Sequence, residues 1–154
     1  MTTREIHIAY QCCEYAELSV ADRQLVDAAR QACASSYAPY SKFNVGAAVR
    51  LADGQIVEGS NQENSAYPSG ICAERCALFA ANAKYPQTPV VALAIAAKPT
   101  GGDYVGQPVS PCGACRQVAL ETPMRFNTPI RWLLCGKNEV FIVNNVCDLL
   151  PLHF

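Results

Sequence analysis

Apolar positions recur with two periods along this chain, and each change of period marks an element. Leu25, Ala29, Ala32 and Cys33 fall at helical spacing behind Ser19 and Asp22, which are placed as an N-terminal capping box. That first helix ends before Pro39, whose ring disfavours helical geometry at Ala38. Residues 45–51 and 55–58 are strand-like runs joined by Asp53-Gly54, a dipeptide favoured in two-residue hairpins. A second helix, 72–84, gathers Cys76, Ala77, Ala80 and Ala83 on one side, small enough to pack closely on a sheet. Residues 90–97 are almost uniformly apolar, the pattern of a strand covered on both faces. The Gly- and Pro-rich residues 99–111 read as loop, and a third helix, 113–121, precedes Pro123. Residues 130–135 and 140–143 form the last two strands. Gly136-Lys137-Asn138-Glu139 is too short for a parallel crossover, so that pair is antiparallel. Ile6, Ile8 and Tyr10 alternate, which makes residues 1–18 an N-terminal arm or a short strand. The expectation is an α/β fold in three α-β-α layers around a mixed five-stranded sheet, with its last two strands antiparallel.

Composition narrows the setting. A length of 154 residues fits one domain, 1–154, able to bury a proper core. Apolar residues make up 51% and charged ones only 16%, so subunit contacts that cover apolar surface are expected. Net charge is -1 without a basic run, which argues against a nucleic-acid partner and for a small molecule. No apolar run approaches the roughly 20 residues that span a bilayer, so no membrane partner is expected. Nine cysteines are an odd number, and the N-terminus lacks the apolar stretch of a secretory leader. A reducing, cytoplasmic location follows, where clustered cysteines serve as ligands or buried thiols.

The candidate chemistry sits at two helix starts. Cys72-Ala73-Glu74-Arg75 combines a soft ligand, a carboxylate and a cation, and Pro111-Cys112-Gly113-Ala114-Cys115 adds two thiols one helical turn apart. Helix N-termini favour thiolates, so Cys72, Cys112 and Cys115 could hold a zinc ion with its fourth position open to water. Glu74 would lie close to the metal without binding it, free to carry protons. Arg75 would balance the charge of three thiolates. A closed structural zinc site, with Cys76 or another cysteine as fourth ligand, is the bland alternative. The cluster Asn61-Gln62-Glu63-Asn64 is either a solvated turn or a set of carboxamides and a carboxylate suited to sugar hydroxyls.

Cys-x-Glu followed by Pro-Cys-x-x-Cys is the pattern of zinc deaminases. With the runs 40–48, 61–64, Tyr67-Pro68, 72–75, 111–117 and the ending 149–154, the chain resembles the small homotetrameric cytidine deaminases over nearly its whole length. That resemblance implies hydrolytic deamination of cytidine and deoxycytidine in pyrimidine salvage, with one zinc per subunit on Cys72, Cys112 and Cys115. It implies Glu74 as proton carrier and ring contact, Phe43 stacked on the base, and Asn61 and Glu63 on the ribose 3′ hydroxyl. The Ser110 carbonyl and the Ala73 amide would read the exocyclic amine and the ring carbonyl. Tyr67 and Phe154 match positions that reach a neighbouring subunit's site. From the residues alone, Phe43 could also be core and Tyr67 could simply pack on Pro68. Deamination of another nucleoside or analogue, or a non-catalytic zinc module, are the competing functions.

Overall fold

A computed structural model describes residues 1–154. One sheet contains β1 (Gln11–Glu14), β2 (Phe43–Leu51), β3 (Ile56–Ser60), β4 (Val90–Pro99), β5 (Arg131–Cys135) and β6 (Glu139–Val143). Their order across the sheet is β1-β6-β5-β4-β2-β3. The helices are α1 (Val20–Ala32), α2 (Ala73–Lys84) and α3 (Gly113–Met124). β4 pairs antiparallel with β2 and parallel with β5, and β5 pairs antiparallel with β6, so the sheet is mixed and its last two strands run as expected.

Alternation along β4 separates the two faces. Leu93 and Ile95 join Leu78, Ala119 and Trp132 beneath α2 and α3, while Ala92, Ala94 and Ala96 face Leu25, Val26 and Ala29 of α1. Small side chains on the α1 face let that helix come close. A Cβ at Gly46 would lie 2.1 Å from the Ala29 carbonyl oxygen, so only glycine permits this approach. Three layers result: α1, the sheet, then α2 with α3.

Five details differ from expectation. The sheet has a sixth strand, because β1 pairs with β6 from Gln11 opposite Ile142. The alternating residues before it carry no regular structure and are exposed. β6 ends at Val143 and leaves them almost nothing to pair with, though Tyr10 still packs on Phe141 with ring centroids 4.9 Å apart. The β2–β3 hairpin is wider than two residues. Only Gly54 has positive φ (90°); the Gly54 N–H closes a turn on the Leu51 carbonyl at 2.9 Å, and the Asp53 carboxylate accepts the Gln55 N–H at 3.1 Å. Pro123 lies inside the last turn of α3 instead of beyond it. β4 runs on to Pro99, into residues read as loop. Ser19 does cap α1 by accepting the Asp22 N–H at 3.1 Å, but the Asp22 side chain does not return the bond. It reaches across to Arg50 at 3.3 Å and to Arg131.

That carboxylate, 4% exposed, pins α1 to β2 and β5. Burial raises its pKa, but the hydrogen bond and charge of Arg131, helped by Ser19 and Arg50, outweigh burial and hold it below the ordinary value. A folded pKa below the unfolded one gives stability that is complete above the unfolded value and lost as pH falls through the folded one. Asp22→Asn is expected to cost about 1.5–3 kcal/mol at pH 7, the range for hydrogen bonds to charged groups. The gap to wild type should narrow as pH drops below about 4. Urea unfolding at pH 7 and pH 3 checks this, and a gap that stays constant would contradict it.

Candidate metal centre and substrate groove

The chain leaves β3 and β4 at the same edge of the sheet, and each exit leads to a helix start. Cys72 is the N-cap of α2 and Cys112 the N-cap of α3, with Cys115 one turn into α3. Their sulfurs converge: Cys72 to Cys112 is 3.7 Å, Cys112 to Cys115 is 3.5 Å, and all three lie within 4.8 Å of one another. Tetrahedral zinc with bonds of about 2.3 Å requires sulfurs roughly 3.8 Å apart, so this donor set fits the ion. Cys76 stands outside the cluster and packs where β3 meets α2: a Cβ on Gly59 would lie 2.8 Å from the Cys76 Cβ and 2.4 Å from the Ala77 nitrogen. All nine cysteines are free of disulfides.

Electrostatics in the cluster follow from proximity. The Cys72 thiol is pushed down to about 5, first by a hydrogen bond with Cys115, against burial, with Arg75 and Cys112 adding to it. Cys115 moves the other way, raised by that same hydrogen bond and by burial. Cys72 is therefore the thiol of that pair favoured to ionise, and a dication bound in the cluster would ionise its ligands. Arg75 donates from Nη2 to the Cys72 sulfur at 3.8 Å, while its Nε is buried without a partner. Glu74, 4% exposed, lies in the first turn of α2. Burial holds its carboxyl above the usual range; its own backbone amide opposes that, and the Cys72 charge reinforces it.

Beside the thiols opens a groove of about 810 Å³, whose lining includes Tyr40, Asn61, Glu63, Tyr67, Cys72 and Arg75. Asn61 follows β3 and bonds to the start of β2: its Oδ1 accepts the Val45 N–H at 2.8 Å and its Nδ2 donates to the Phe43 carbonyl at 2.9 Å. Glu63 Oε2 accepts the N–H groups of Tyr40 at 2.9 Å and Ser41 at 3.2 Å. Its carboxyl sits below the usual value, with the Ser41 side chain as the leading cause. Phe43 opens β2 half-buried, Ala73 is the buried first residue of α2, and Ser110 is exposed ahead of buried Pro111; none of these lines the groove. Tyr67 is 92% exposed at the groove, and Phe154, 98% exposed at the C-terminus, lies outside its lining.

Three supports escaped sequence reasoning. Lys42, with φ of 56°, turns the chain between the amides that grip Glu63 and the start of β2. Ser36 donates to Asn61 Oδ1 at 2.5 Å. Arg116 donates to the Pro111 carbonyl at 2.8 Å and to the Leu149 carbonyl at 2.7 Å, tying the C-terminal segment to the thiol loop. Its place directly after Cys115 was the available signal for Arg116.

A family model described as the cytidine and deoxycytidylate deaminase zinc-binding region matches residues 19–126. The chain belongs to this family. A cytidine deaminase of Halalkalibacterium halodurans is 46% identical over 101 residues, covering 65% of this chain and 71% of that one. Among solved structures, the cytidine deaminase of Burkholderia pseudomallei superposes with a TM-score of 0.71 at 38% identity, covering 85% of this chain and 97% of its own. That of Mycobacterium tuberculosis superposes with a TM-score of 0.69 at 33% identity, covering 88% and 98%. The family match takes in Cys72, Glu74, Cys112 and Cys115 and begins after residues 1–18.

Proposed function

We propose that this chain catalyses the hydrolytic deamination of cytidine and deoxycytidine to uridine and deoxyuridine, releasing ammonia, as a step of pyrimidine salvage. The observation that carries the reading is the convergence of three thiols beside a buried carboxyl group, next to a groove with fixed polar groups. Cys72, Cys112 and Cys115 would hold one zinc ion per subunit, with Arg75 balancing charge. Bound there, zinc supplies the Lewis acidity that activates water near neutral pH.

Glu74 handles the protons. It takes one from the attacking water and gives it to ring N3 as the oxygen joins C4. It then moves the hydroxyl proton to the amine, the C4–N bond breaks, and ammonia leaves uridine with its proton on N3. Phe43 stacks on the base, while the Ala73 amide and the Ser110 carbonyl read its edge. Asn61 and Glu63 hold the sugar.

Groove charge favours a nucleoside over a nucleotide. The charged groups lining it are Glu63 and Arg75, and Arg75 is turned to the Cys72 sulfur. A phosphate would find no free cation there. Tyr67 and Phe154, both exposed in the single chain, complete a neighbour's site in a homotetramer, and exposed Phe79 and Met124 are consistent with covered subunit contacts.

Glu74→Gln should keep its zinc and lose turnover by about 10²–10⁴-fold, the usual contribution of a positioned proton carrier. Cys112→Ala should lose metal and activity together, as read by metal analysis and an ammonia assay; full activity without metal would refute the zinc reading. Across cytidine, deoxycytidine, cytidine 5′-phosphate, cytosine and adenosine, ammonia release should be confined to the first two. Equal turnover of the 5′-phosphate would remove the nucleoside assignment. Light scattering should give the mass of four chains, and a monomer retaining full activity would exclude shared sites.

A further inference from the structure

The carboxamide of Asn61 offers two acceptor positions on oxygen and two hydrogens on nitrogen. Both acceptor positions are filled, by the Val45 N–H at 2.8 Å and the Ser36 hydroxyl at 2.5 Å. One hydrogen goes to the Phe43 carbonyl at 2.9 Å. A flipped amide would set like groups against both backbone partners, so the orientation is fixed. A single N–H remains, and Asn61 can only donate to a ligand. Glu63 is the complement. Its two backbone bonds both fall on Oε2, and as a carboxylate it can only accept. A hydroxyl, which accepts one bond and donates another, satisfies the two together.

Ser36 is the one side chain among the three protein groups bonded to the Asn61 carboxamide. It follows the 3-10 turn Cys33–Ser35 at the end of α1, and the adjoining chain is clamped to the sugar segment. The Tyr37 N–H donates to the Asn61 carbonyl at 3.0 Å, the Glu63 N–H donates to the Tyr37 carbonyl at 2.8 Å, and Gln62 Nε2 donates to the Ser35 carbonyl at 3.1 Å. Without the Ser36 hydroxyl, Asn61 Oδ1 would regain a free lone pair. It could then compete with Glu63 for the proton of the substrate hydroxyl.

We propose that Ser36 is a positioning residue for sugar recognition, holding Asn61 as a pure donor toward the 3′ hydroxyl of the substrate. The proposal rests on the sugar reading of Asn61 and Glu63 given above. Its test compares kcat/KM for cytidine and 3′-deoxycytidine in wild type, Ser36→Ala and Ser36→Thr. Wild type prefers cytidine. In Ser36→Ala that preference falls about 3- to 10-fold, the effect of one neutral hydrogen bond, with the loss on cytidine appearing chiefly in KM. Ser36→Thr, which retains a hydroxyl, restores the preference. Equal losses on both substrates, or an unchanged ratio in Ser36→Ala, would overturn the proposal while leaving the sugar reading in place. A wild type that does not distinguish the two nucleosides would overturn the sugar reading and this inference with it.

Discussion

Cys72 and Cys112 can meet because β3 and β4 run in the same direction. β2 lies between them, antiparallel to both, so the chain leaves the two strands at one edge of the sheet. Each exit feeds a helix whose N-terminus, with its unpaired N–H groups, favours an anionic sulfur. The precision of the meeting depends on how α2 is seated. Gly59 lets the β3 backbone approach α2 so closely that a Cβ would fall 2.4 Å from the Ala77 nitrogen and 2.8 Å from the Ala73 carbonyl oxygen. A larger residue would push α2 outward and take Cys72 with it, in a site where ligand distances tolerate only about 0.2 Å.

The same edge supplies the groove. β2 begins there, and the chain after β3 folds back across its first residues. Asn61 is therefore bonded to the backbone of Phe43 and Val45, and Glu63 to that of Tyr40 and Ser41. Side chains anchored to strand and turn backbone lose little freedom when a ligand arrives, which is how a site preorganises for binding. Lys42, with a positive φ uncommon outside glycine, then turns the chain from that grip into β2.

Legibility in the sequence followed the range of each interaction. Residues 90–97 announced a strand buried on both faces, and the turn residues before Cys72 and Cys112 announced helix starts, because those signals are local. Residues 1–18 were readable only as an arm or a short strand, because β6, distant in sequence, decides which of them pair. Asp22 was assigned a local capping bond, but two arginines from distant strands claimed it. At the site the division is the same. Cys72, Glu74, Cys112 and Cys115 stand in short motifs and could be read directly. The Tyr40 and Ser41 amides could not, since a main-chain donor has no residue identity and only the fold aims it. Ser36 carries no signal of its own in the sequence, since only the fold brings its hydroxyl to Asn61.

In the proposed reading, a carboxylate placed as Glu74 is serves better as a proton carrier than as a ligand. A dication with three thiolates already carries one net negative charge. An ionised Glu74 would add a second in a buried place, where uncompensated charge is costly. Arg75 offsets only one, and it does so from the Cys72 side. Burial and the Cys72 charge pull the Glu74 carboxyl upward in the same direction. A carboxyl raised in this way takes up a proton readily and releases it again, as the proposed transfer from water to ring nitrogen asks. The cost of holding a carboxylate beside three sulfurs therefore suits Glu74 to the proposed role of proton carrier.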